Sequence, residues 1–340
     1  MDFLKNKSIL VTGGTGSFGK NFTKQLLNNF DIKKVVIFSR DEYKQYQFKK
    51  SLNKKDSEKV RFFLGDVRDK DRLDIALNDI DIVIHAAALK QVDTAEYNPI
   101  EPIKTNIIGA ENIIEVCLKK NVQKVIALST DKAVHPINLY GATKLVSDKL
   151  FIAANNLVGF KKIRFSVVRY GNVLNSRGSA VPLFRSLASK SSNYISITDK
   201  EMTRFWIDLD TSVKFVLKAL KIMKGAEVFV PKMPSVNIMD MAKAIAPKNK
   251  IKITGIRPGE KIHEILVPKD PSSLTMELND FFVMISRSIF IKKLLNESTN
   301  NVLKLKGKKV DKNFEYASNT NKKFLTVKEI KSFVANSKEE

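Results

Sequence analysis

Tyr140 and Lys144 stand four residues apart in Asn-Leu-Tyr-Gly-Ala-Thr-Lys, residues 138–144. On a helix this spacing sets an ammonium one turn from a phenol, where its charge favours the phenolate. Just upstream, Ser129-Thr130-Asp131-Lys132 puts a carboxylate beside an amine directly after an apolar run. A phenol with a neighbouring ammonium suits proton removal from an alcohol as its carbon loses hydride. An acid and a base alongside suit elimination of water as well. Lowering a tyrosine from about 10 to about 7 requires roughly 4 kcal/mol. One cation about 4 Å away supplies on the order of 4 kcal/mol at an effective dielectric of ~20. The same cations push the Lys132 amine toward neutrality, whereas an ionised Asp131 opposes them. The chemistry therefore calls for a neutral Lys132 as base and a protonated Asp131 as the acid that lets a hydroxyl leave as water. The competing reading is a surface turn.

These groups need a frame. Apolar β-branched runs at Ser8–Thr12, Lys34–Ser39, Val60–Leu64, Asp81–His85, Lys124–Ser129 and Lys162–Arg169 predict strands. Between them, Ser17–Asn29, Asp41–Leu52, Asp69–Asn78, Ile103–Asn121 and Leu139–Asn156 read as helices. The alternation predicts an α/β fold with a Rossmann-type, doubly wound parallel sheet, its strands apolar because both faces are covered. After Arg169 the rhythm breaks into loop-rich pieces at 172–181, 197–205 and 254–264. The expected organisation is a dinucleotide-binding domain over 1–171, with later segments folding back onto it. A smaller, partly interleaved substrate domain follows over 172–285, and a C-terminal extension over 286–340.

Gly13, Gly16 and Gly19 punctuate Val-Thr-Gly-Gly-Thr-Gly-Ser-Phe-Gly at residues 11–19, between the first strand and the first helix. Such a turn lets the backbone close on a pyrophosphate at the helix N-terminus, with Thr15, Ser17 and Phe18 in the same turn. An ordinary glycine turn is the bland alternative. The second strand ends Ser39-Arg40-Asp41, with Lys44 one turn on. An acidic residue at the strand end would bond a ribose hydroxyl, whereas Ser39 and Arg40 suit a 2′-phosphate and favour NADP. A surface Arg stacking on adenine is the alternative. Asp66 and Val67 follow the third strand. Asp66 suits the adenine amino group, and Asp69 suits a helix N-cap. Ala86 and Ala87 end the fourth strand with side chains small enough for a cofactor to pass.

The formal charge is +23 over 340 residues, but the lysines are scattered rather than gathered into one tract. A basic surface of this kind favours an anionic small-molecule substrate over nucleic acid. The lone Cys117 sits on an apolar helix face and reads as a buried, inert thiol. The three scattered histidines give no metal spacing. No apolar run is long enough to span a bilayer, and the expected location is cytoplasmic with no membrane partner.

With these residues in place the chain resembles the extended short-chain dehydrogenases/reductases that act on nucleotide sugars. More narrowly, it resembles the inverting UDP-N-acetylglucosamine 4,6-dehydratases that open pseudaminic acid synthesis. The resemblance covers roughly residues 5–285. It rests on Thr-Gly-Gly-Thr-Gly-Ser-Phe-Gly, Gly-Asp-Val-Arg-Asp, His-Ala-Ala-Ala-Leu-Lys-Gln-Val, Ser-Thr-Asp-Lys-Ala, Asn-Leu-Tyr-Gly-Ala-Thr-Lys, Met-Thr-Arg-Phe-Trp and Gly-Ile-Arg-Pro-Gly-Glu-Lys. It implies C4 oxidation with Tyr140 as base, elimination across C5–C6, and return of hydride to C6 and of a proton to C5. Retaining sugar dehydratases carry Asp-Glu where this chain has Asp131-Lys132, and that difference implies inversion. The resemblance further implies that Thr130 bonds the C4 hydroxyl and that Lys90, Thr105 and Val173 adjoin the cofactor. Lys90 also borders the sugar, and Asn172, Arg177, Arg204, Arg257 and Glu260 bind the UDP half. It implies a homo-oligomer, dimer to hexamer, serving surface-glycan or flagellin-sugar synthesis. Val134-His135-Pro136 departs from the family pattern at His135. Two other readings stay open: a UDP-sugar 4-epimerase, which needs no Asp-Lys pair, and a non-catalytic Rossmann protein that senses NADP or binds nucleic acid.

Overall fold

The computed structural model describes residues 2–174, 181, 184–185, 194–270, 273–286 and 292–336. Its main sheet begins with β1 (Ser8–Thr12), β2 (Lys34–Ser39), β3 (Val60–Leu64), β4 (Ile82–His85), β5 (Lys124–Thr130) and β6 (Arg164–Tyr170). They lie parallel in the order β3-β2-β1-β4-β5-β6, the doubly wound arrangement whose order reverses between β1 and β4. β1 is buried along its whole length and β2 along nearly all of it, because helices cover both faces. Phe22 and Leu26 come from helix Ser17–Asn29, Ile113 and Cys117 from Gly109–Lys119, and Phe151 from Leu139–Ala153. Cys117 is fully buried, and burial pushes its thiol far above the ordinary value.

Beyond β6 the sheet continues with strand Glu227–Pro231, parallel to β6, and then with antiparallel strands Phe281–Ser286, Ser273–Glu277 and Lys308–Lys309. A second apolar cluster lies outside this sheet and gathers Ile195, Ile197, Met202, Trp206, Val236 and Met241. Thr203–Ile207, placed among loops from sequence, is a strand of that unit, paired with Ser235–Asn237 and Asn172–Val173. Its Phe205 faces the main core while Trp206 faces the second, and this double burial is what makes it a strand.

The chain after residue 286 knits into both cores. Val302 of helix Lys292–Lys304 joins the first, and Ile330 and Val334 of helix Val327–Asn336 join the second. Between them, Tyr316–Ala317 pairs antiparallel with strand Ile265–Val267. The predicted helix over 103–121 opens instead as a π-helix at Ile103–Ile108 and becomes α-helical at Gly109–Lys119. The wider turn lets Asn106 accept from the Leu89 N–H and donate to the Leu89 carbonyl, both at 2.9 Å, and donate to Thr143 Oγ1 at 3.0 Å. It thereby ties the loop after β4 to the helix that carries Tyr140. Among the described residues, no helix is long and apolar enough to cross a membrane.

Candidate active site

A cleft of about 500 Å³ opens at the carboxyl ends of the parallel strands. The glycine-rich turn supplies Gly13, Thr15, Gly16, Ser17, Phe18 and Gly19 to its wall. The end of β2 adds Ser39, Arg40, Asp41 and Lys44, and the end of β3 adds Asp66 and Val67. Ala86, Ala87, Lys90, Thr105 and Val173 close the far side. Thr12 aligns the end of β4: its Oγ1 lies 2.9 Å from His85 Nδ1 and accepts from the N–H groups of Ala86 and Ala87. Burial pushes His85 down to about 3, with the Lys144 charge adding to the effect, so the imidazole is neutral at this joint.

The cleft suits a dinucleotide. Gly13 has φ +62°, and a Cβ there would come within 2.9 Å of the Ala87 backbone. Helix Ser17–Asn29 is N-capped by Gly16, which makes no side-chain cap bond, and the positive N-terminal end of a helix favours an anion. Gly13→Ala is expected to cost about 1–3 kcal/mol from the left-handed backbone alone. Thermal melting with and without a nicotinamide dinucleotide should show both a lower midpoint and a smaller shift on adding it. At the ends of β2 and β3, Arg40 Nη1 lies 3.6 Å from Asp66 Oδ2. Burial would raise the Asp66 carboxyl, but the hydrogen bonds and charge of Arg68, 2.7 Å away, hold it below the usual carboxylate range. Asp41 caps helix Glu42–Lys50 by accepting from the Lys44 N–H at 2.9 Å, and its carboxylate also pairs with the Lys44 ammonium. Ser39 Oγ accepts from Gln45 Nε2 at 3.0 Å. Asp69 is the N-cap of helix Lys70–Ala76.

A second cavity of about 310 Å³ meets the first at Lys90, Lys132, Asn172 and Val173. Arg204, Arg257 and Glu260 line it; Arg177 lies outside the described residues. Arg257 Nε donates to Glu260 Oε1 at 3.0 Å. Both Arg204 Nη atoms are taken by the carbonyls of Thr203, Lys261 and Ile262.

At the junction, β5 ends at Thr130 and a short 3-10 turn carries Asp131–Ala133. Asn138 then caps helix Leu139–Ala153 by accepting from the Gly141 N–H at 2.7 Å, and its Nδ2 reaches the Gly259 carbonyl at 2.8 Å. A Cβ on Gly141 would lie 2.2 Å from the Lys132 carbonyl, so only glycine brings the helix this close to the turn. His135, exposed, takes φ +43° at this bend, a region that His tolerates better than most residues.

Asp131 is fully buried. Its Oδ1 accepts from Thr130 Oγ1 at 2.9 Å and from Lys132 Nζ at 3.1 Å. Lys144 is buried too, and burial lowers its pKa against the pull of Asp148. Asp148 pairs with Arg169 at 3.0 Å and accepts from Ser129 Oγ at 2.7 Å.

Two sequence expectations are corrected here. The Tyr140 phenol is not lowered: burial pushes it up to about 12, while the Lys132 charge and a hydrogen bond with Thr130 pull the other way. Lys132 is not neutral: burial would lower it, but the carboxylates of Asp131 and Glu264 outweigh burial and raise it, so it is an ammonium. Sequence reasoning passed over Glu264, whose Oε1 is 3.4 Å from Lys132 Nζ. Lys-Ile-His-Glu at 261–264 looks like a solvated stretch, and only strand pairing just beyond it betrays burial.

Known proteins resemble this chain along most of its length. The family model described as polysaccharide biosynthesis protein matches residues 9–286. UDP-N-acetylglucosamine 4,6-dehydratase (inverting) of Campylobacter jejuni is 53% identical over 324 residues, covering 95% of this chain and 96% of that one. UDP-glucose 4-epimerase of Rickettsia bellii is 40% identical over 340 residues, covering 97% and 96%. Among solved structures, Pen from Bacillus thuringiensis superposes with a TM-score of 0.86 at 34% identity over 98% of both chains. The dTDP-glucose 4,6-dehydratase from Streptomyces venezuelae, with NAD and TYD bound, gives 0.65 at 20% identity over 75% of this chain and 86% of that one, a likeness of fold.

Proposed function

The chain belongs to the polysaccharide biosynthesis protein family, and from that membership we propose that it is an inverting UDP-N-acetylglucosamine 4,6-dehydratase. It uses a nicotinamide cofactor and a UDP-sugar substrate. The observation that carries this reading is the pairing of the half-buried Lys132 with the fully buried Asp131 where the two cavities meet. An epimerase, which only removes and returns hydride at C4, has no use for such a pair.

When bound, the cofactor supplies a hydride acceptor at C4 and later the hydride for C6. Tyr140 accepts the C4 hydroxyl proton. Lys132 removes the C5 proton, acidified by the new C4 ketone, and Asp131 protonates the departing C6 hydroxyl. The resting pair is an ammonium beside a buried carboxyl group 3.1 Å away. Passing one proton from Lys132 to Asp131 across that contact yields amine and acid without changing the net charge. Lys132 then returns its proton to C5 from the opposite face. Tyr140 has gained a proton and Asp131 has lost one. Thr130, hydrogen-bonded to both, connects the two and closes the cycle.

Mass spectrometry and proton NMR of the reaction with UDP-N-acetylglucosamine test the reading. Loss of one water with L-arabino configuration at C5 is the expected result. The 40% identical epimerase relative favours a second reading, whose product would keep the substrate's mass with C4 inverted. Unconsumed substrate would leave only a binding role.

Arg40 at the end of β2 favours NADP over NAD. A charge-assisted bond to phosphate contributes about 1.5–3 kcal/mol. Arg40→Ala is therefore expected to weaken NADP binding roughly ten- to a hundredfold while changing NAD binding little. Titrations of both cofactors check this, and an equal loss would reduce Arg40 to adenine stacking.

A further inference from the structure

Glu264 is 2% exposed and belongs to none of the motifs that mark the site. Its Oε1 lies 3.4 Å from Lys132 Nζ and 4.0 Å from Arg204 Nε. Its Oε2 lies 3.7 Å from Lys261 Nζ. A carboxylate this deep is costly unless cations meet it, and three converge on it here.

The chain holds Glu264 in place from its far end. The Glu264 N–H donates to Ser318 Oγ at 2.9 Å, and the Ser318 N–H donates to the Glu264 carbonyl at 2.8 Å. Ser318 Oγ also lies 2.7 Å from Thr203 Oγ1, next to Arg204. Lys261 Nζ donates to the Val134 carbonyl, which clamps the 131–134 turn to the same segment. Lys132 thus sits between Asp131, on its own turn, and Glu264, fixed by residues 316–318 from the C-terminal part of the chain.

We propose that Glu264 is the positioning residue of the dehydration step, pinning the Lys132 Nζ at the junction of the cavities where C5 must be met. The proposal rests on the dehydratase reading above. Asp131 alone is a poor guide for Nζ, because it shares the turn and must change its own protonation during the reaction. Glu264 is not an acid or base of the cycle, and its backbone is anchored outside that turn. The residues beyond 286 acquire a role as well, since they build the backing of this carboxylate.

Glu264→Gln keeps the shape and removes the charge. In the NADP-loaded enzyme, kcat should fall by about 10- to 100-fold. KM for UDP-N-acetylglucosamine should stay within about twofold. The pH limb that reports Lys132 should move to lower pH, since one of the two carboxylates raising it is gone. The near-ultraviolet band of reduced nicotinamide should build up on mixing, because C4 oxidation precedes the step that needs Lys132. Ser318→Ala, which frees Glu264 without altering charge, should show the same build-up with a smaller fall in kcat, and it decides the matter if the first variant does not fold. Unchanged kcat and pH profile overturn the proposal, as does a loss with neither pH shift nor reduced cofactor. A wild-type enzyme that releases no water would instead overturn the dehydratase reading itself.

Discussion

Lys132→Ala is expected to abolish release of water from UDP-N-acetylglucosamine, with turnover falling by about 10²–10⁴. The wild-type product formed in D₂O should carry deuterium at C5 in the L-arabino configuration. The Lys132 amine lies at the junction, ion-paired with Asp131 and Glu264 and lining both cavities. Its long stem starts on a short 3-10 turn, so the nitrogen can meet C5 from one face and, after the ring shifts, from the other. Lys132→Glu would restore the Asp-Glu pair of retaining enzymes but would place a third carboxylate beside Asp131 and Glu264. Mutual repulsion in a buried site then predicts an inactive enzyme rather than a retaining one. The loss can be separated from unfolding. Removing the cation leaves Asp131 without its ionic partner, so a lower melting temperature is expected, while the nicotinamide cofactor should still raise it. NMR of the wild-type product and single-turnover rates of the variant decide the point. A D-xylo product, or near-normal turnover by Lys132→Ala, would remove Lys132 as the base.

Much of the frame was readable because local signals and tertiary demands coincide. β1 and β2 have the predicted limits since each is a mostly apolar run buried on both faces, and β3, at the sheet edge and largely uncovered, keeps its predicted limits through its pairing with β2. Helix starts were marked by Asp41 and Asp69, which do cap their helices. The departures have non-local causes. Ile103–Ile108 is a π-helix because Asn106 must reach Leu89 and Thr143, which no local propensity encodes. Thr203–Ile207 is a strand because two separate cores claim its two faces. The charge on Lys132 depends on Asp131 and also on Glu264, a residue distant in sequence whose segment is held by pairing with Tyr316–Ala317. Spacing revealed which groups meet at the turn, but the burial that sets their protonation arises from the whole fold.

Tyr140→Phe is expected to lower turnover by about 10²–10⁴ while leaving folding and binding of the nicotinamide cofactor close to wild type. The ring is buried against the site, and Phe preserves that packing. Only the oxygen is lost, and with it the acceptor for the C4 proton. A phenol at about 12 stays protonated at neutral pH. Bringing it near 7 requires roughly 7 kcal/mol. A single cation about 4 Å away gives on the order of 4 kcal/mol at an effective dielectric of ~20. Lys132 already acts on Tyr140 in the resting site, so the phenol ionises only when further positive charge faces it. Turnover should therefore rise with pH and level off once the bound complex ionises. A folded-state pKa above the ordinary value means that raising pH favours the reactive phenolate, so the Phe variant should lose that rising limb while its residual rate stays flat. Stopped-flow absorbance gives a second readout: without the acceptor, no reduced nicotinamide should form, in contrast to the accumulation expected for Glu264→Gln. If Tyr140→Phe still oxidises C4 at a comparable rate, the proton must leave through Thr130 and a water, and Tyr140 would be only the wall of the pocket.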